Sequence, residues 1–442
     1  MFDIVLSGCD VLVRRNGRYS VEDGCDIAVR GERIAAIEKT GRIETAAARE
    51  WLDAHGQLAI PGLINCHAHV PMVLFRGLAE DVGIESWFND YIWPLESNLE
   101  PEDVYWGMLL GLAEMIQSGV TTVADHYFFC DYTAQAVREA GTRANITWAV
   151  FGHEGEEKLN RTIDFVRKWQ GAADGRIAAW LGPHAPYTCD DAFLTLCARR
   201  ARELGVGIHI HCSETHEQRE LSLRQHGVTP PEVLRRTGVL DVPTILAHGV
   251  GITSADIAML AQHDVAVAQC AKTYLKLGMG TARVDEFHSA GLKVGIGTDG
   301  VVSSNTLDVL EQMRILALDH KQAAHDSTRM PIQTMLDIAF AGGAATMRMP
   351  DIGELAPGKL ADIALLRQDG AHVFPRYDAL ANLVYSHRAG DVETVLCNGR
   401  VLLRDGRLTT IDLARVRAEV TRRLARLNHR AHDKRLATYP TQ

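Results

Sequence analysis

The chain has 442 residues, 46% hydrophobic and 23% charged, with a formal net charge of −10 and a pI near 6.0. That length holds one large domain and a smaller one, and the acidity argues against a nucleic-acid or membrane surface. Nine cysteines without a Cys-x-x-Cys read as reduced thiols, Met1-Phe-Asp-Ile-Val-Leu-Ser carries no basic leader, and no apolar run reaches bilayer length, so the expected compartment is the cytoplasm.

The first sixty residues read as short strands and turns: Ile4-Val-Leu, Val11-Leu-Val, Ile27-Ala-Val and Arg33-Ile-Ala-Ala-Ile, punctuated by Gly and Asp. From Ala59 the pattern alternates strand and helix. Apolar runs begin at Ala59, Thr121, Asn145, Ile177, Val206, Pro243, Val265 and Leu292, with helical patterns such as Val104 to Gln117 and Asp191 to Leu204 between them. Eight such units over about 250 residues fit a (β/α)₈ TIM barrel, whose functional groups sit at the carboxyl ends of the strands. Strand character returns after Gly353 in Ala361-Asp-Ile-Ala-Leu-Leu and in Val392 to Leu403. The expected division is residues 1–58 and 346–410 as a discontinuous small β-sandwich domain, 59–345 as the barrel, and 411–442 as a terminal helix and tail. In that helix, Asp412 to about Arg430, apolar residues at helical spacing alternate with arginines, the pattern of a packed helix with a solvated face.

Four polar motifs end strand-like runs: His67-Ala-His69, His211-Cys-Ser-Glu214, Ala247-His248-Gly249 and Gly297-Thr-Asp299-Gly300. Two histidines one residue apart on a strand face the same side, about 7 Å apart. With His211 and Asp299 they form a three-imidazole, one-carboxylate set for one divalent cation, with a position left open for water. Zinc suits it, and ferrous iron or manganese is compatible by ligand type. His248 is a further ligand or a hydrogen-bond partner of the hydroxide. Glu214, just past its strand, is the general acid–base candidate. A second metal needs a bridging group, often a carboxylated lysine on the fourth strand. That strand ends Leu181-Gly-Pro-His184 instead, so one metal is expected and His184 becomes a substrate contact. His209, His263 and His288 read as ordinary core or surface histidines, and Lys272 and Lys276 as loop charge. Trp87, Phe88 and Trp93 read as core or pocket wall, and the aromatics of residues 79–94 suit a lid.

This order of motifs resembles the amidohydrolase superfamily, in particular its branch of 5′-methylthioadenosine/S-adenosylhomocysteine deaminases and triazine hydrolases. The resemblance includes His67 to Asp81, Trp93-Pro-Leu-Glu96, Gly182-Pro-His-Ala-Pro-Tyr187, Ser303-Ser-Asn305 and Gly358-Lys-Leu-Ala-Asp-Ile363. It implies that His67, His69, His211 and Asp299 bind the metal and that His248 orients the attacking water. It implies further that Glu214 protonates the ring nitrogen beside the amino-bearing carbon, and that Asp299 relays a proton to departing ammonia. Glu96 then grips ribose hydroxyls and His184 meets the purine. Two departures stand out. Cys270-Ala-Lys-Thr-Tyr-Leu-Lys-Leu277 replaces the usual Asn-Pro-x-Ser-Asn-Leu-Lys-Leu, and Trp148 stands where an arginine for an amino-acid carboxylate is expected, which favours a small apolar tail. The expected function is metal-dependent deamination of an amino-purine nucleoside such as 5′-methylthioadenosine, adenosine or S-adenosylhomocysteine. The alternatives are another amino- or chloro-substituted heterocycle (a guanine-type base, a pterin, a triazine) or a metal-free assembly protein on the same fold. The expected partner is a small molecule, with no nucleic acid and no membrane, and the fold alone suggests a homodimer or higher homo-oligomer.

Overall fold

A glycine divides the two layers of the chain. The run from Ala59 to Ile64, which reads as one barrel strand, is split at Gly62. Gln57–Pro61 belongs to one sheet and Leu63–Ala68 to the other. A Cβ at Gly62 would lie 2.3 Å from the Thr121 hydroxyl, so only glycine passes between the layers there. The computed structural model describes residues 1–44, 47–429 and 434–440.

Beyond Gly62, eight parallel strands follow in sequence and in space: Leu63–Ala68, Val120–Tyr127, Arg143–Val150, Ile177–Pro183, Ile208–Cys212, Thr244–His248, Val265–Gln269 and Lys293–Ile296. Nearly every residue in them is buried, as expected of parallel strands covered on both faces. The intervening helices start and stop where their caps dictate. Asp190 accepts from the Phe193 amide to start Asp191–Leu204, and Gly205 ends it at φ +66°. Thr215 starts His216–His226 by accepting from the Gln218 amide, which fixes the backbone beside Glu214. The barrel closes at a parallel bridge between Ala68 and Asp299. There the amides of Thr298 and Asp299 both donate to the His67 carbonyl at 3.0 Å.

The small β domain expected from both ends of the chain is one continuous mixed sheet of nine strands. Its first strand, Phe2–Arg15, is bent by irregularities between Leu6 and Val11, so its two halves pair with different neighbours: Ala48–Asp53 on one side of the bend and Gln57–Pro61 on the other. Period-two alternation sorts the side chains. Leu58, Ile60, Ala364 and Leu366 join the barrel core, while Ala59, Ile363 and Leu365 join a separate core inside the sheet.

The terminal helix, Leu413–Leu427, is capped by Asp412 and buries Val416, Val420 and Leu427. Its arginines are not simply solvated: Arg423 and Arg426 pair with Asp103, which is 1% exposed, at 3.3 and 2.6 Å. The expected end near Arg430 lies outside the described residues. Among the described residues no helix is long and apolar enough to cross a membrane.

Candidate active site

The carboxyl ends of strands one, five, six and eight bring His67, His69, His211, His248, Glu214 and Asp299 to one buried floor. His67, His69 and His211 place nitrogens within 4.8 Å of one another, and His67, His248 and Asp299 form a second such group. The Nδ1 atoms of three rings are engaged elsewhere. His67 Nδ1 lies 2.9 Å from His209 Nε2, His69 Nδ1 donates to the His126 carbonyl at 2.5 Å, and His211 Nδ1 donates to the His184 carbonyl at 2.8 Å. Each Nε2 is therefore left as a lone-pair donor facing the centre. His67 Nε2, fully buried, has no hydrogen-bond partner. The Nε2 atoms of His69 and His211 stand 3.3 Å apart, and Asp299 Oδ1 is 3.5 Å from His67 Nε2 and 3.3 Å from His69 Nε2. Buried nitrogens and a carboxylate pointing at one another with no protein group between them form the donor set a divalent cation takes.

Electrostatics agree with that role for two of the three rings. His69 is the exception: burial opposes its charge, yet Asp299 and the His126 carbonyl raise it to about 9, so a cation binding there displaces its proton. Burial holds His67 and His211 below the ordinary imidazole range, so both are neutral as metal ligation requires. Burial opposes charge on Asp299, yet the His67 and His69 rings hold it well below the usual carboxylate range. Its other oxygen accepts from Thr273 at 3.1 Å and Ser303 at 2.8 Å. Reaching this floor strains the backbone. Ser213, His248 and Asp299 adopt φ of +51°, +79° and +60°, a left-handed conformation worth about 1–3 kcal/mol of strain for each non-glycine residue.

Above the floor lies a cavity lined mainly by aromatic and apolar side chains. Helical residues Ile84 to Glu96, with a π-turn over Trp87–Ile92, form one wall and present Trp87, Phe88, Trp93 and Glu96 to it. Glu214 is 4% exposed. Burial and then the charge of Asp299 raise its pKa to about 7, against the Tyr187 hydroxyl that donates to it at 3.1 Å. Glu96 is likewise pushed up to about 7 by burial. His184 lines the cavity with Nδ1 2.9 Å from the Thr188 hydroxyl.

Trp148 is not among these groups. Ala149 on its strand and Phe151 just past the strand end line the cavity, so period-two alternation turns Trp148 the other way. It packs edge-on against Phe165 at 5.9 Å, with Lys158 over its face. His209, read as an ordinary core histidine, is the partner of His67, and the His209-x-His211 spacing on one strand face was its signal. His126, Thr273, Ser303 and Tyr187 also belong to the site; Tyr187 and Ser303 lie in stretches that carry the resemblance, while no motif marks His126 or Thr273. The altered segment 270–277 forms the short helix Ala271–Lys276, which delivers Thr273 to Asp299. Lys272 pairs with Glu311, and Lys276 with Glu80, tying together the loops after strands one, seven and eight.

A model of the amidohydrolase family matches residues 58–402. A protein named 5-methylthioadenosine/S-adenosylhomocysteine deaminase from Pelotomaculum thermopropionicum is 39% identical over 433 residues, covering 97% of this chain and 100% of the relative. One of the same name from Desulforudis audaxviator is 43% identical over 406 residues, covering 91% and 94%. A solved structure of an adenosine deaminase from Xanthomonas campestris with bound zinc superposes with a TM-score of 0.91 at 28% identity, covering 97% of this chain and 99% of that one.

Proposed function

Because the chain belongs to the amidohydrolase family, we propose that the site described above is that of a zinc-dependent hydrolytic deaminase releasing ammonia from the purine ring of adenine nucleosides. The observation that carries this reading is the juxtaposition of a buried carboxyl poised near neutrality, Glu214, with the His67, His69, His211 and Asp299 donors at the floor of one cavity. Those four residues would hold a divalent metal, which would lower the pKa of a bound water toward 7 and so supply hydroxide at neutral pH.

The residues divide the proton work by environment. Glu214, half protonated near pH 7, delivers its proton to the ring nitrogen beside the amino-bearing carbon, which makes that carbon the electrophile. Asp299 stays ionised, one oxygen fixed by Thr273 and Ser303, and accepts the proton of the water before passing it to the leaving nitrogen. His248, kept neutral by burial that pushes it down to about 3, holds the water in line. Glu96 and His184 orient the nucleoside: two ribose hydroxyls donating to Glu96 relieve the cost of its burial. With Trp148 outside the cavity, the preference for a small uncharged tail rests on a different observation. The described residues lining this cavity include Ile84, Phe88, Leu277 and Met279 and no arginine or lysine, Arg224 lining only the adjoining cavity, so an amino-acid carboxylate finds no counter-charge within the cavity itself. Methylthioadenosine and adenosine are therefore expected to outperform S-adenosylhomocysteine. Ammonia release by zinc-loaded protein from these three, guanine, a pterin and an amino-triazine tests the reading, and turnover of the free heterocycles alone sinks it.

Two substitutions refine it. Glu96→Ala is expected to raise KM for nucleosides by about 10–100-fold, the worth of a charge-assisted hydrogen bond, while free adenine is handled as before. Equal losses on both substrates would remove Glu96 from the ribose. Tyr187→Phe deletes a hydrogen bond that lowers the Glu214 pKa. Glu214 then keeps its proton to higher pH, so the alkaline fall of kcat/KM, expected from about pH 7 in the unaltered enzyme, shifts upward. A pH profile that stays in place or moves down contradicts the assignment of Glu214 as the acid.

A further inference from the structure

The family match ends at residue 402, yet the tail returns to the active site beyond it. Tyr439 is 6% exposed. Its ring stacks on Phe88 at 4.9 Å with the planes 6° apart, and meets Tyr187 edge-on at 5.4 Å. Asn89 brackets its backbone: the Tyr439 amide donates to Asn89 Oδ1 at 2.8 Å, and Asn89 Nδ2 donates to the Tyr439 carbonyl at 3.1 Å. On the opposite side Gln218 Nε2 donates to the Tyr439 hydroxyl at 3.3 Å, while Gln218 Oε1 accepts from the Glu214 amide at 2.9 Å. One residue thus touches the wall formed by residues 84–96 and, through Gln218 and Tyr187, both the backbone and the carboxylate surroundings of Glu214.

We infer that Tyr439 is a positioning residue: its ring clamps the Phe88 wall over the cavity, and its hydroxyl, through Gln218, fixes the backbone that aims Glu214. Phe88 lines the cavity and Tyr439 forms part of the neighbouring one, which shares Ile84, Leu277 and Met279 with it. The tail therefore stands behind the wall of the site, where it braces without occupying the substrate's place. The stack on Phe88 and the edge-on contact with Tyr187 supply rigidity at little conformational cost, since only two side-chain torsions are fixed. The consequence for activity rests on the deaminase reading; the bracing of residues 84–96 does not.

The two functions of the side chain separate by substitution in the zinc-loaded full chain. Tyr439→Ala removes ring and hydroxyl and is expected to raise KM for the nucleoside by about tenfold, with faster amide hydrogen exchange across residues 84–92. Tyr439→Phe keeps the stack and loses the Gln218 contact. It should leave KM and exchange near their original values and lower kcat by about threefold, the worth of a neutral hydrogen bond. If Tyr439→Ala does not fold, Asn89→Ala, which opens only the bracket, is expected to accelerate the same exchange. Unchanged KM and unchanged exchange in a folded Tyr439→Ala protein with full metal content would overturn the inference. Should the unaltered enzyme release no ammonia from any nucleoside, the deaminase reading fails instead, and the exchange measurement alone decides the bracing.

Discussion

Glu214→Gln is expected to lower kcat by about 10³–10⁴-fold, the upper range for a single acid–base group, with metal content and KM little changed. Glutamine matches the shape of glutamate and leaves the Glu214 amide on Gln218 and the Tyr187 hydroxyl with an acceptor, so the pocket is preserved. What disappears is the transferable proton. The carboxyl is 4% exposed and raised to about 7 by burial and by Asp299, so at neutral pH it is present in both states, the condition for giving a proton and being recharged within one cycle. Amide nitrogen can donate a hydrogen bond but not a proton, so the substrate should still bind and the ring nitrogen stay unprotonated. Steady-state kinetics beside metal analysis decide the matter. A loss below tenfold would show that the proton arrives by another route, and a KM rise with kcat held would make Glu214 a binding residue.

Removing the metal is expected to have an effect at least as large. Water has a pKa of about 15.7 in bulk and about 7 on such an ion, so the stripped enzyme should lose at least about 10⁴-fold in activity. The fold should persist, because the barrel is closed by backbone bonds from Thr298 and Asp299 to the His67 carbonyl and by a large apolar core that owe nothing to the ion. Dialysis against a chelator, then titration of zinc, manganese and ferrous iron back into folded apoprotein, should restore activity in proportion to one bound ion per chain. Activity that survives verified stripping would remove the metal from the chemistry, and a break at two ions would revive a second site.

The parts of this arrangement legible in the sequence are those fixed by local spacing. His67-Ala-His69 on a strand has one geometric meaning, and the same holds for an acid three residues after His211, because a strand end is followed by a turn of limited reach. Side-chain parity was harder. Trp148 and Ala149 differ only in which face of the strand they occupy, and a run apolar on both faces gives no hint of which is inward. His209 shows the reverse: the His209-x-His211 spacing puts it on the face of a ligand, but its partner, His67, stands 142 residues away and only the fold identifies it. The run from Ala59 to Ile64 was legible as strand but not as two strands, since the space beside Gly62 is set by Thr121 from another element. Thr273, Ser303 and Tyr439 act through hydroxyls on residues of ordinary composition, and nothing in local sequence marks a threonine that will face a carboxylate.

The seam between the first and last barrel strands has a consequence for how the enzyme comes into being. Asn65 and Thr298 are 233 residues apart and exchange two hydrogen bonds there, beside the carbonyl of His67. During synthesis the amino-terminal histidines leave the ribosome long before Asp299 exists, so every nascent chain short of that residue has neither a closed barrel nor a complete ligand set. Pairing of such high contact order forms late and slowly. The complete ligand set thereby exists only once the barrel has closed, and truncated or stalled products are inert rather than partly active.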